Sequence, residues 1–250
     1  MNNLAFAYKD AGRLDKALPL FKETLRLRTV KLGADHPDTL TSMNNLAWGY
    51  RDASRLDKSL PLFEQAAIGV EKRRFQHEFA DRIVPSFIGA LEEAKNWPKA
   101  ETWRRKWLAV VREESGASSG AYADELRGLG VNLLQQNKFT DAEPALRDCL
   151  PILAKTQPDN WTTFNTKSLL GAALLGQKKY AQAQLLLHQG YGGLKLRERT
   201  IPNHARVCLA ETAERLVALY QALDQPEEVK WWQAEKARVL KGKTPSPKQP

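Results

Sequence analysis

Four histidines, His36, His77, His188 and His204, are the side chains best able to hold a metal or shuttle a proton near neutral pH. They lie in four different contexts. None forms an i, i+4 pair and none has a cysteine at ligand spacing, as a zinc site would need. Cys149 and Cys208 fit no metal-ligand spacing either and read as two half-buried reduced thiols, not a disulfide scaffold. The adjacent acids Glu92-Glu93, Glu113-Glu114 and Glu227-Glu228 point to different helix faces, so they are solvated surface and not paired catalytic carboxylates. There is no GxSxG elbow and no glycine-rich phosphate loop. The expectation is a non-enzyme with no catalytic residue, no cofactor and no metal. Trp97, Trp103, Trp107, Trp161, Trp231 and Trp232 could stack on bases, but their spacing follows helix faces and favours core packing.

Composition allows a large core, with 42% hydrophobic residues. Lys and Arg number 38 against 29 Asp and Glu, a net charge of +9. That excess favours acidic partners through a field that salt would screen. The basic residues alternate with acids, so nucleic-acid binding is the weaker reading. The N-terminus has no basic-then-apolar signal pattern. No apolar run approaches the ~18 residues of a membrane span, so no membrane partner is expected and a cytoplasmic location is the default.

The elements that must position any binding residue come from a repeat. MNNLAFAYKDAGRLDKALPLF, residues 1–21, returns as MNNLAWGYRDASRLDKSLPLF, residues 43–63, with 16 of 21 positions identical. A period near 42 implies stacked supersecondary units. Leu4, Ala5, Tyr8 and Ala11 mark one helix face, and Gly12 can end that helix. Leu14, Leu18, Phe21, Leu25 and Leu32 mark a longer second helix, with Pro19, Pro61 and Pro144 expected near its first turn. The loop 32–40 ends the unit, and Asp38 or Thr39 is expected to cap the next helix. A small residue recurs at Ala17, Ser59, Ala100, Ala142 and Ala183, with a bulky one three residues before each. Ala5, Ala47, Gly130 and Gly171 form a second small series, broken by Ile88. Small against bulky lets helices approach closely.

This pattern resembles the tetratricopeptide repeat. Leu4-Ala5, Tyr8, Gly12, Leu14, Ala17 and Phe21 match its signature positions, and the NNLA segment with the loop GADHPDTL looks like the 42-residue kinesin-light-chain type. Residues 162–195 and 201–223 resemble the closing repeats of arrays attached to bacterial, planctomycete-type serine/threonine protein kinases, although the chain has no kinase motif. The resemblance is weak at 76–118, where Arg104 and Trp107 replace an aromatic and a small residue. It implies an all-α, right-handed superhelical solenoid of about six helix–turn–helix repeats over 1–240. The hairpins are expected at about 1–34, 38–76, 78–116, 119–157, 160–199 and 203–240, and 241–250 as a disordered basic tail. Repeat 1 lacks the five residues that precede Met43 in repeat 2, so the chain is read as a piece of a longer array or as having a fraying first hairpin.

In that family the first helix of each repeat lines the concave groove. The resemblance therefore implies a non-catalytic interaction scaffold that holds a protein or peptide segment, one with acidic residues being favoured, and that could belong to a kinase-linked system. The groove set is Asn2, Asn3, Phe6 and Lys9 from repeat 1, Thr41, Asn44, Asn45, Trp48 and Arg51 from repeat 2, and Arg82 beyond. Asparagine amides offer donor and acceptor to a peptide backbone, Phe6 and Trp48 give an apolar floor, and Lys9, Arg51 and Arg82 meet acids. Two readings of the asparagines stay open, ligand contact and ladders between repeats. Burial between repeats is the other reading of Trp48, and a solvated face that of the basic residues. In repeats 4 and 5, Gly128, Val131, Leu169 and Ala172 replace the polar set, which confines a polar ligand surface to the N-terminal half.

Overall fold

The computed structural model describes residues 1–241; nearly all of the tail expected at 241–250 lies outside the described residues. Among the described residues there is no strand. The helices are α1 (Asn2–Asp10), α2 (Leu14–Leu32), α3 (Pro37–Asp52), α4 (Leu56–Lys72), α5 (Ala80–Glu93) and α6 (Trp97–Ser115). They continue as α7 (Gly120–Gln135), α8 (Phe139–Thr156), α9 (Trp161–Gly176), α10 (Tyr180–Leu196), α11 (Val207–Ala222) and α12 (Pro226–Lys241). Each odd-numbered helix forms a hairpin with the next. The chain divides into two compact units, Met1–Val110 and Val111–Pro250.

One turn joins the two helices of every hairpin. Gly12 adopts φ +70°, its N–H donates to the Lys9 carbonyl, and the Arg13 N–H reaches back to the Tyr8 carbonyl. This is a Schellman closure, which needs one left-handed residue. Only the first hairpin meets that need with glycine. Ser54, Lys95, Asn137, Lys178 and Asp224 take the same place with φ between 54° and 62°, a conformation that is strained for side chains other than Asn and Asp.

The turns between hairpins use a second device. His36, His77, Ser119 and Asn160 occupy one repeat position. His36 Nδ1 accepts from the Asp38 N–H at 3.2 Å, and His77 Nδ1 from the Phe79 N–H at 2.9 Å. Ser119 Oγ accepts from the Tyr122 N–H and Asn160 Oδ1 from the Thr162 N–H. The cap of α3 is therefore His36, with Pro37 opening the helix, and not Asp38 or Thr39. An unprotonated ring nitrogen does the capping work of an Asx or Ser oxygen, which gives two of the histidines a structural role.

The prolines sit deeper than expected. Pro19, Pro61 and Pro144 are each the sixth residue of α2, α4 and α8, one turn further in than the first turn. Each removes one intrahelical bond, and all three are exposed, so water can replace the missing N–H.

The small residues hold the core together. Ala17, Ser59, Ala100, Ala142 and Ala183 are all completely buried. A Cβ on Gly130 would stand 2.5 Å from Leu146 Cδ2, and one on Gly171 2.7 Å from Leu187 Cγ, so these glycines set the close approach of α7 to α8 and of α9 to α10. The irregular third hairpin compensates for its substitutions. Arg104, where the repeat expects an aromatic, pairs with Glu92 through two contacts of 2.7 and 2.9 Å. The aromatic moves one residue earlier, to Trp103, whose ring meets Phe87 edge to face at 5.2 Å. Both cysteines are fully buried, not half-buried, and Cys149 Sγ contacts the Ala123 carbonyl. That burial pushes the Cys149 thiol up to about 11. Among the described residues no helix is long and apolar enough to cross a membrane.

Candidate functional site

The groove set lies on α1, α3 and α5 of the first unit and falls into two overlapping groups, with Asn2 and Asn45 in both. The first group is tied between repeats. Asn45 Nδ2 donates to Asn2 Oδ1 at 3.4 Å, and Lys9 Nζ lies 3.3 Å from Asp52 Oδ2. Trp48 Nε1 donates to Ser86 Oγ at 3.0 Å, and its ring meets Phe63 edge to face at 5.8 Å. Arg51 Nε donates to Glu93 Oε2 at 2.8 Å while its guanidinium lies over the Trp48 ring. These rungs join residues 38 to 43 apart, close to one repeat period. Trp48, Lys9 and Arg51 thus couple neighbouring hairpins.

The second group surrounds a cavity of about 260 Å³. Asn2, Phe6, Thr41, Asn44, Asn45 and Arg82 all line it, six of the ten groove residues. Asn3 is exposed and lies outside its lining. Phe6, Phe79 and Ile83 supply the apolar wall. Arg28 and Asp38 complete the lining, and Arg28 is already engaged, donating to the Asp38 carbonyl and to Ser42 Oγ, both at 2.9 Å.

Two lining residues have unmet capacity. Asn44 is 6% exposed, and its Oδ1 has no hydrogen-bond partner among the described residues. A buried acceptor left unpaired costs about 1–3 kcal/mol. Arg82 is exposed, lies over the Phe79 ring at 5.4 Å, and forms no ion pair among the described residues. Thr41 spends its hydroxyl on the Pro37 carbonyl of its own helix.

Residues 1–67 match the family model described as tetratricopeptide repeat. The fold is that of the tetratricopeptide repeat. Solved structures agree across the remainder of the chain. The putative kinesin light chain of Podosopora anserina, with nearly identical tetratricopeptide-like repeats, is similar with a TM-score of 0.65 at 19% identity, over 79% of this chain and 94% of that one. BtubC (BKLC) from P. vanneervenii gives 0.65 at 15% identity over 95% and 96%. A Rap protein complexed with Competence and Sporulation Factor gives 0.51 at 13% identity over 97% and 74%. No curated protein matches the chain.

Placing the tetratricopeptide register on the structure shows what sequence reasoning missed. Arg28 belongs to a second helix, outside the family's groove positions, yet reaches across to α3. Phe79 and Ile83 lie where the repeat pattern is weakest, so the register does not single them out. In the second unit Leu169 and Ala172 stand at groove positions as read, while Asn165 Oδ1 and Arg127 Nε are buried there without a hydrogen-bond partner among the described residues and other polar groups pair with one another. Ser168 Oγ donates to Thr212 Oγ1 at 2.9 Å and accepts from Arg215 Nη1 at 3.0 Å. Among the described residues no group of three or more His, Cys, Asp and Glu side chains could hold a metal ion.

Proposed function

We propose that the first unit holds a peptide segment of a protein partner in the cavity between α1, α3 and α5. The supporting observation is the pair of unmet groups on one apolar-walled cavity, the buried Asn44 acceptor and the unpaired Arg82 cation. A peptide N–H satisfies Asn44 Oδ1, an apolar side chain fills the space beside Phe6, Phe79 and Ile83, and a carboxylate meets Arg82. The asparagine ladder between Asn2 and Asn45 fixes the wall they share. A neutral hydrogen bond of this kind contributes about 0.5–1.5 kcal/mol and a charge-assisted one about 1.5–3. The Rap protein solved with Competence and Sporulation Factor supports a binding role for this fold, and the likeness of residues 162–195 to kinase-attached arrays supports a place in a kinase-linked system. The nucleic-acid reading loses support because Trp103, Trp107 and Trp232 are 5% exposed or less.

The test is selection of random twelve-residue peptides against the full chain. Selected sequences should pair an acidic residue with an apolar one, and Arg82→Ala should weaken them at least tenfold with an unchanged far-ultraviolet spectrum. Selected peptides that bind Arg82→Ala and Asn44→Ala as tightly as wild type would overturn the assignment.

A further inference from the structure

The second unit carries another groove, on the side of its second helices, between α8 and α9. It encloses about 470 Å³. Leu150, Pro151 and Ala154 of α8 and Leu170 of α9 form an apolar lining, with the cations Arg147 and Lys167 beside it and no acid among the lining residues.

The repeat itself shows why it is open. In the first unit, α4 and α6 are zipped by two ion pairs, Glu64 with Lys99 and Glu71 with Lys106, both at 2.6 Å. A shift of 83 residues places Arg147 and Ala154 at the two acids, and Gln182 and Gln189 at the two lysines. Arg147 reaches Gln182 at 3.3 Å, while Ala154 has no side chain to reach Gln189. Gln189 instead accepts from Lys167 at 3.1 Å. Leu185 shares that face of α10 with Gln182 and Gln189, and it is 60% exposed. Both acids of the zipper are gone, and an apolar strip with positive charge replaces them. Arg147 has a local carboxylate in Glu143, but Lys179 shares that same group, 2.7 Å away in each case. Lys167 has no carboxylate partner among the described residues.

We propose that this groove docks an acidic amphipathic helix of a protein partner, its apolar residues on Leu150, Leu170 and Leu185 and its carboxylates on Lys167 and Arg147. Charge complementarity selects the occupant, because the missing zipper residues are carboxylates. The site is separate from the cavity of the first unit and does not depend on it.

The probe is a fluorescein-labelled fifteen-residue peptide with leucine at every third or fourth position and glutamate between, alongside its lysine counterpart. The full chain should bind the acidic peptide at least tenfold more tightly than the basic one. Ala154→Glu with Gln189→Lys copies the Glu71–Lys106 pair across the groove, and it should weaken the acidic peptide at least tenfold without changing the helical spectrum. Lys167→Glu should do the same, and Arg82→Ala in the first unit should leave binding within twofold. Equal binding of both peptides, no binding to wild type, or undiminished binding to both groove variants would overturn the proposal. So would a thymidine oligonucleotide that displaces the peptide from wild type.

Discussion

Replacing Trp48 with alanine separates the two groups of groove residues. The indole is half-buried, donates to Ser86 Oγ at 3.0 Å, and meets Phe63 edge to face. The lost hydrogen bond costs about 0.5–1.5 kcal/mol, and the lost aromatic pair about as much. Full burial of a tryptophan brings the loss to about 3–5 kcal/mol. Half-burial and a solvent-accessible edge reduce the sum to about 2–4 kcal/mol. Ser86 keeps its own donation to the Arg82 carbonyl at 2.6 Å, so no buried group is orphaned. Trp48 does not line the cavity. Urea unfolding followed by circular dichroism should show the drop in stability. Titration of the folded variant with a selected peptide should give an affinity within about twofold of wild type. Unchanged stability with affinity lost at least tenfold would refute the reasoning, because Trp48 would then be a ligand floor and not a coupling between hairpins.

Glu143 should contribute to the acid sensitivity of the second unit. Lys179 first, with Arg147 and Gln177, lowers its carboxyl from 4.5 to about 2. Its stabilisation is therefore present above pH 4.5 and lost as the pH falls toward 2. Glu143→Gln should lower the melting temperature at pH 7, and the difference from wild type should shrink steadily between pH 4.5 and 2. Lys178→Gly should stabilise by about 0.5–1 kcal/mol in urea unfolding, since relief of the left-handed lysine outweighs the added chain entropy of glycine. Asn137→Gly at the equivalent turn should change stability by only a few tenths of a kcal/mol, because asparagine tolerates that conformation. Equal gains at both sites would contradict the strain argument.

Much of the fold was legible because the repeat leaves a mark wherever backbone geometry forbids a side chain. Ala17 and its four counterparts are read from spacing alone, and each is completely buried. Gly12 announces the hairpin turn, but Lys95 and Lys178 hide it, since a Schellman closure is a backbone pattern that lysine can adopt under strain. Histidine capping was invisible because a ring nitrogen replaces the usual oxygen, and only the shared repeat position of His36, His77, Ser119 and Asn160 reveals it. Asn44 and Arg82, named from the repeat register, line one cavity. What the sequence could not apportion was coupling against binding: Lys9, Trp48 and Arg51 share that face but meet Asp52, Ser86 and Glu93 one repeat on. Those partners are long-range, and no local pattern encodes them.

The side-chain amide of Asn44 offers the most direct test of the central claim. Its resonances can be assigned in ¹⁵N-labelled protein by their loss in Asn44→Asp. On adding a selected peptide, the Asn44 amide should shift as Oδ1 gains its donor, while the Asn165 amide, in the second unit, stays where it was. A peptide that binds the chain at saturation and leaves the Asn44 amide unmoved would contradict the account.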